Sequence, residues 1–215
     1  MTFSTMFSTM AIGMLRSFGV FALTLLGSMP LGMIVALLKK SRFAIVRVVV
    51  SAYISLIRGT PLMLQLLVWY FGPFYLFGMN IGSWRFPALI LGFVLNYAAY
   101  FAEIYRGGIE SIPVGQYEAA EVLGYNRTQT FMRIILPQVI KRIMPSVTNE
   151  VITLVKDTSL AFTLAYQEVF SLAKQISASQ TSFMPFLIAG VFYFVANYLV
   201  EFVMGRIEKA LDYYK

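Results

Sequence analysis

The sequence predicts an all-α integral membrane protein, a five-span helical bundle forming a single transmembrane domain. Three observations predict it. Of 215 residues, 59% are hydrophobic and only 13% are charged, with a mean hydropathy of +0.73, a composition suited to lipid. Apolar stretches of about 20 residues, enough to cross a bilayer as a helix, recur five times. The Lys and Arg residues collect on one side of those stretches, as they do where cytoplasmic loops are basic.

Residues 1–12 lack the basic start and cleavage site of a signal peptide. Phe3 with Phe7, and Met6 with Met10, suit either a short interfacial helix or a frayed start. Span 1 is expected at 14–38. Ser28 and Gly32 give it a small-residue step for close helix packing, and Gly27 and Pro30 are expected to bend it. Span 2, at 48–71, is interrupted at Arg58-Gly59-Thr60-Pro61, where proline removes a backbone hydrogen bond. Residues 72–87 carry the glycine, proline and aromatic residues of an interfacial loop. Span 3 is expected at 86–105, span 4 at 145–166 and span 5 at 183–204. A polar loop, 171–182, joins the last two, and a charged amphipathic tail follows. No internal repeat or low-complexity tract appears.

Between spans 3 and 4, residues 107–144 form a loop with strong helix punctuation. Pro113 suits a first helical turn, where its missing N–H is not needed. Gly124 suits the position past a helix end, where φ is often positive. Asn126 with Gln129 forms a capping box for a second short helix, which Leu136-Pro137 is expected to end. The result is a knuckle of two short helices about a sharp turn. Ala119 and Ala120 offer a small-residue surface and Glu118 a carboxylate for a partner's N–H groups or basic side chain. An ordinary amphipathic loop has the same composition.

With the knuckle in the cytoplasm, twelve of the 17 Lys and Arg residues lie on that side, three on the other, and Arg58 and Lys156 inside spans. This puts the N-terminus outside and the C-terminus inside. The net charge of +7 therefore reads as topology and contact with anionic lipid, not as a nucleic-acid surface. Cysteine and histidine are absent, which excludes disulfides, thiol nucleophiles, Cys/His metal sites and histidine acid–base chemistry. No G-x-x-x-x-G-K-[ST] loop occurs, so the chain has no P-loop for ATP.

Polar groups inside spans are costly, and each needs either a partner or a wet cavity. The candidates are Arg58, Gln65, Asn96, Glu103, Asn149, Glu150, Lys156, Asp157, Thr158 and Ser159. On span 4, Asn149 and Lys156 lie seven apart on one face, while Asp157 lies seven beyond Glu150 on the neighbouring stripe. One helix thus presents both signs of charge, which suits a zwitterion.

Several of these residues fall in recognisable patterns. Glu118-Ala119-Ala120, Gly124, Ile134 and Leu136-Pro137 resemble the EAA motif of ABC-importer permeases. Tyr53-x4-Arg58-Gly59-Thr60-Pro61-Leu62-x2-Gln65, Asn96-Tyr97-x2-Tyr100-x2-Glu103-x2-Arg106-Gly107-Gly108 and Asn149-Glu150-x5-Lys156-Asp157-Thr158-Ser159-Leu160 resemble segments of the polar amino-acid permease family. The motifs cover spans 2 to 4; spans 1 and 5 match in apolar character and position.

The resemblance implies a type I ABC importer permease of the bacterial cytoplasmic (inner) membrane, pairing with a second permease subunit in a homo- or heterodimer. It implies a separate ATPase dimer holding ATP and Mg, docked through the coupling helix at Glu118, Ala119, Ala120 and Gly124. An external solute-binding protein would deliver a polar amino acid, and this chain would be no enzyme and bind no cofactor. A cavity between spans 2 to 5 is expected, lined by Arg58, Gln65, Asn96, Asn149 and Glu150, with Glu150 for the substrate's amino group and Arg58 for its carboxylate. Glu103, Lys156 and Asp157 are expected to be structural. The competing readings are a secondary transporter or channel subunit independent of ATP, which usually has more spans and an inverted repeat, and an intramembrane enzyme, for which no nucleophile, base or metal set is present.

Overall fold

The computed structural model describes residues 2–211; Lys215, counted above among the cytoplasmic charges, lies outside them. Every regular element among the described residues is helical. Helix α1 runs unbroken from Phe3 to Lys39, with Pro30 inside it. The start is thus neither frayed nor a separate interfacial helix, because the Thr2 hydroxyl caps it by accepting from the N–H of Thr5. The helix packs most extensively on α4 (Arg85–Glu110). Thr24 and Ser28 are buried, and a Cβ placed on Gly32 would lie 2.8 Å from the Cβ of Phe101. The small-residue step read at Ser28 and Gly32 is the seam along which these two helices touch.

The expected second span is two helices, α2 (Ala44–Gly59) and α3 (Leu62–Phe77), bent by 113°. Pro61 is the cause. It supplies no N–H, and it pushes Thr60 into an extended conformation, φ −123 and ψ 147. Helix α3 also reaches further than expected, through Pro73 to a left-handed cap at Gly78.

After α4 comes the knuckle, α5 (Val114–Val122) and α6 (Arg127–Thr130). The expected stop at Leu136-Pro137 is absent. The chain instead widens into a π-turn over Phe131–Ile135 and continues as α7 (Leu136–Asp157). Leu136 donates to Phe131 across that wide turn. The slipped register lets Pro137 enter the first turn of α7, where no N–H is required. Pro145, taken from sequence as the start of a span, lies well inside the helix.

Beyond Asp157 the backbone tightens into a 3-10 segment, Thr158–Leu164, ending at Ala165 with φ 53. The stretch read as a polar loop is helix α8 (Val169–Gln180). Glu168, fully buried, caps it by accepting from the N–H groups of Phe170 and Ser171 at 2.7 and 2.6 Å, and the Tyr193 hydroxyl donates to the same carboxylate at 3.0 Å. Val169, Leu172, Ala173 and Ile176 form the buried stripe. Their i, i+3, i+4, i+7 spacing was readable beneath the serines and glutamines. Helix α9 (Met184–Ala210) closes the bundle.

Among the described residues, α1, α4 and α9 are long and apolar enough to cross a membrane, and the bent α2–α3 pair makes a fourth span if counted as one. Length and composition therefore support three or four of the five expected spans. Helix α7 has the length, at 22 residues, but Lys141, Arg142, Glu150, Lys156 and Asp157 make it strongly amphipathic.

Candidate functional site

The elbow between α2 and α3 leaves backbone carbonyls without helical partners, and Gln65 answers them. Its side-chain nitrogen donates to the carbonyls of Ile57 and Thr60 and to the Thr60 hydroxyl at 2.8, 3.0 and 2.9 Å. Its oxygen accepts from the Asn96 amide of α4 at 2.9 Å. Both side chains are buried. Gln65 and Asn96, expected along the substrate path, spend these polar groups on holding the elbow against α4. Sequence reasoning saw two costly polar residues and could not see that each was the other's partner.

The elbow forms one wall of a cavity of about 360 Å³. Thr60, Pro61 and Leu62 line it from that side, Asn96, Tyr97 and Tyr100 from α4, and Glu150, Thr153 and Asp157 from α7, with Leu160 beyond. Asn96 thus keeps a place on the wall. Glu150, half-buried, has no hydrogen-bond or ion-pair partner among the described residues. Asp157 accepts from the Tyr97 hydroxyl at 2.8 Å.

A second cavity, about 440 Å³, shares Tyr100 and Glu150 with the first and reaches Ser111, just before the knuckle. Arg58, Glu103, Gly107 and Gly108 line one side and Arg142, Ile143 and Ser146 the other. Glu103 is the hub of an ion cluster. Lys39 of α1 lies 2.5 Å away, Arg106 2.7 Å, and Arg58 4.0 Å at its edge; Arg106 also pairs with Glu110. Lys39 is a partner for Glu103 that the sequence did not suggest. Arg58 is held less tightly. Its guanidinium sits 5.3 Å from the centre of the Tyr100 ring, and nearly half of its side chain is exposed.

Asn149 and Lys156 are brought to neither wall. Both are exposed on the outer face of α7, and no carboxylate of the described residues pairs with Lys156. The expectation that Lys156 ties span 4 to the chain's other helices fails for that reason. It points out of this chain.

At the knuckle, Gly124 has φ 78. The N–H of Tyr125 bonds Ala120 at 3.0 Å and that of Gly124 bonds Glu121 at 2.9 Å, the paired closure of a helix end at a left-handed glycine. The Asn126–Gln129 capping box is formed in both directions. Pro113 sits one position earlier than read, as the cap of α5. Ala120 is buried within the chain, whereas Glu118 and Ala119 are exposed. The outward apolar surface is Val114, Val122 and Leu123, the latter two 88% and 72% exposed. Sequence reasoning missed these, although Val122-Leu123 just before the glycine was a visible signal. Ile112, Ile135 and Val139 form a small buried cluster beneath the knuckle, and Arg142 bonds the Ser111 carbonyl. The knuckle is therefore joined to the C-terminal end of α4 and the N-terminal part of α7.

Comparison with known proteins accounts for this arrangement. The chain is 37% identical over 195 residues to the L-cystine transport system permease protein of Bacillus subtilis (strain 168), covering 89% of this chain and 82% of that one. It is 37% identical over 182 residues to the arginine transport system permease protein of the same organism, covering 84% and 82%. Its fold matches a solved amino acid ABC transporter crystallised with histidines at a TM-score of 0.86 and 32% identity, over 94% of both chains. The inward-facing MetNI methionine ABC transporter shares the fold alone, at a TM-score of 0.73 and 19% identity over 98% of this chain and 99% of that one. These similarities favour neither an ATP-independent transporter nor an enzyme. Residues 28–213 match the model of one family, and the chain belongs to it: the binding-protein-dependent transport system inner membrane components.

Proposed function

We propose that this chain is the permease subunit of an ATP-driven importer of polar amino acids, working as one half of a permease dimer. Membership of a transport-component family with amino-acid permeases among its relatives supports the reading. The observation that carries it furthest is the pair of cavities that share Tyr100 and Glu150, one of them reaching Ser111 at the base of an apolar-tipped knuckle. Movement of the knuckle is transmitted through the Ile112–Ile135–Val139 cluster to the inner ends of α4 and α7, which wall the cavity holding Arg58 and Glu150.

In this reading Val122, Leu123, Glu118 and Ala119 meet a separate ATPase dimer, and ATP and Mg stay on that partner. Ala120 and Gly124 shape the knuckle from within. Helices α1, α2–α3, α4, α7 and α9 make five spans, the N-terminus lies outside and the C-terminus in the cytoplasm of a bacterial cell. A solute-binding protein delivers substrate from outside. Glu150 takes its ammonium group and Arg58 its carboxylate. The exposed Asn149 and Lys156 on the outer face of α7 face the second permease subunit or the passage between the two.

The test is reconstitution with the cognate ATPase and binding protein. Uptake of radiolabelled amino acids into proteoliposomes should require ATP, and Val122→Asp should abolish both copurification of the ATPase and uptake. Uptake driven by an ion gradient in the absence of the ATPase would overturn the proposal.

A further inference from the structure

Where α1 turns into α2, three cations meet an apolar helix face, and neither belongs to the cavities or the knuckle. Between Met1 and Ala102 the sequence contains no Asp or Glu. The first carboxylate, Glu103, is already taken by Lys39, Arg106 and, at its edge, Arg58. Lys39 is thereby held against α4. Lys40, Arg42 and Arg47 stay exposed and pair with no carboxylate of the described residues.

The turn gathers these three side chains. The Ser41 hydroxyl accepts from the N–H of Phe43 at 3.3 Å and tightens it. Arg47, from the first turn of α2, reaches back and donates through one guanidinium nitrogen to the carbonyls of Ser41 and Arg42, at 2.9 and 3.1 Å. The Arg42 guanidinium lies 4.8 Å from the centre of the exposed Phe43 ring. Like charges held on so short a turn repel one another, and an anion between them relieves that repulsion.

Helix α2 then shows three faces. Val50, Ile54 and Ile57 are buried. Ser51, Ser55 and Arg58, exposed at i, i+4 and i+7, share the side that carries Arg58 to the cavity wall. Ile45, Val48, Val49 and Leu56 form the third face, about 120° round from the second, and all are exposed, Ile45 by 79%. Helix α2 is half of the bent pair that makes a candidate span, so an exposed aliphatic stripe along it fits hydrocarbon. An acidic protein segment or a free anion would answer the cations and leave the stripe uncovered. One molecule with an anionic head and a hydrocarbon chain answers both.

We propose that the α1–α2 turn and the start of α2 bind an anionic phospholipid, its phosphate among Lys40, Arg42 and Arg47 and an acyl chain along Ile45, Val48 and Val49. The proposal needs α2 to lie in a membrane and is independent of which solute is carried.

The chain has no cysteine, so Ile45→Cys places a single fluorophore on the stripe. The labelled permease is set in phosphatidylcholine nanodiscs containing a small fraction of chain-nitroxide phosphatidylglycerol or, in parallel, of chain-nitroxide phosphatidylcholine. Quenching should show phosphatidylglycerol associating at least about tenfold more strongly, a preference that weakens in high salt. Lys40→Gln with Arg42→Gln, which leaves Arg47 to hold the turn, should cut the preference by about fivefold or more. Lys40→Arg with Arg42→Lys, which keeps both charges, should retain it. Equal quenching by the two lipids in the permease carrying Ile45→Cys alone overturns the proposal. Release of phosphatidylglycerol by millimolar inorganic phosphate overturns it too, since the turn would then hold an anion without a chain. If the double glutamine variant keeps its lipid preference but no longer copurifies with the ATPase, the cations serve a protein interface and the proposal fails.

Discussion

The knuckle and the elbow solve the same problem in opposite ways. Each must reverse or bend the chain sharply and leave no backbone group stranded. The knuckle does so with neighbours in sequence. Gly124 takes φ 78, Tyr125 and Gly124 close the end of α5 on Ala120 and Glu121, and Asn126 and Gln129 cap each other's backbone. The elbow does so at a distance. Thr60-Pro61 breaks the helix, and the freed carbonyls are taken by Gln65, itself held by Asn96 31 residues further on. A local turn can move as one piece. A turn pinned by a remote residue is tied to whatever that residue is tied to, here α4 and the cavity wall.

The largest effect that tests this contrast falls at the elbow. Gln65→Leu removes every side-chain hydrogen bond of the pin and leaves the Asn96 amide and the Ile57 carbonyl buried without partners, at about 1–3 kcal/mol for each group. Thermal unfolding of the purified permease in detergent should shift down by several degrees, with amino-acid affinity weakened as well. A stable variant with unchanged affinity would mean that the elbow needs no pin.

That difference also explains what could be read from the sequence. Capping boxes and left-handed glycines are local rules, so Asn126, Gln129 and Gly124 were placed correctly from a few residues of context. The small-residue seam at Ser28 and Gly32 was legible because close helix approach demands small side chains. The roles of Gln65, Asn96 and Lys156 were not, because burial and partnership are set by helices far apart in the chain. Element ends failed where one rule yielded to another. Pro137 reads as a helix stop until a π-turn absorbs it, and α8 reads as loop because its outward residues are Ser and Gln while Glu168 caps it.

A smaller effect is expected at the knuckle. Gly124→Val forces a β-branched residue into a left-handed backbone, costing about 1–2 kcal/mol. Nothing crowds the position, so the strain is confined to the turn. Membrane insertion and the unfolding temperature of the helical bundle should be nearly unchanged, while ATPase assembly and coupled uptake fall. Should the whole bundle lose as much stability as is expected of Gln65→Leu, the confinement of the strain to the turn would be wrong.

The smallest effect on the chain itself is expected at Lys156. Its side chain is exposed and bonded to no other described residue, so Lys156→Met should alter the stability of the isolated permease by no more than about 0.5 kcal/mol. Where the side chain points in the assembled membrane decides what happens next. A lysine facing lipid near mid-membrane is unfavourable by about 2.5–3.5 kcal/mol on insertion scales, and methionine would then raise stability and leave transport alone. Asn149, seven residues earlier on the same face of α7, is also exposed, and two polar residues in register argue against lipid. The expected result is therefore the opposite: an unchanged isolated chain, but weakened association with the second permease subunit or slowed uptake through the complex. Size-exclusion measurements of the dimer, set beside uptake rates for Lys156→Met and for Lys156→Arg, which keeps the charge, separate the two cases. A variant that is more stable, fully dimeric and fully active would place Lys156 against lipid and remove α7's outer stripe from the subunit interface.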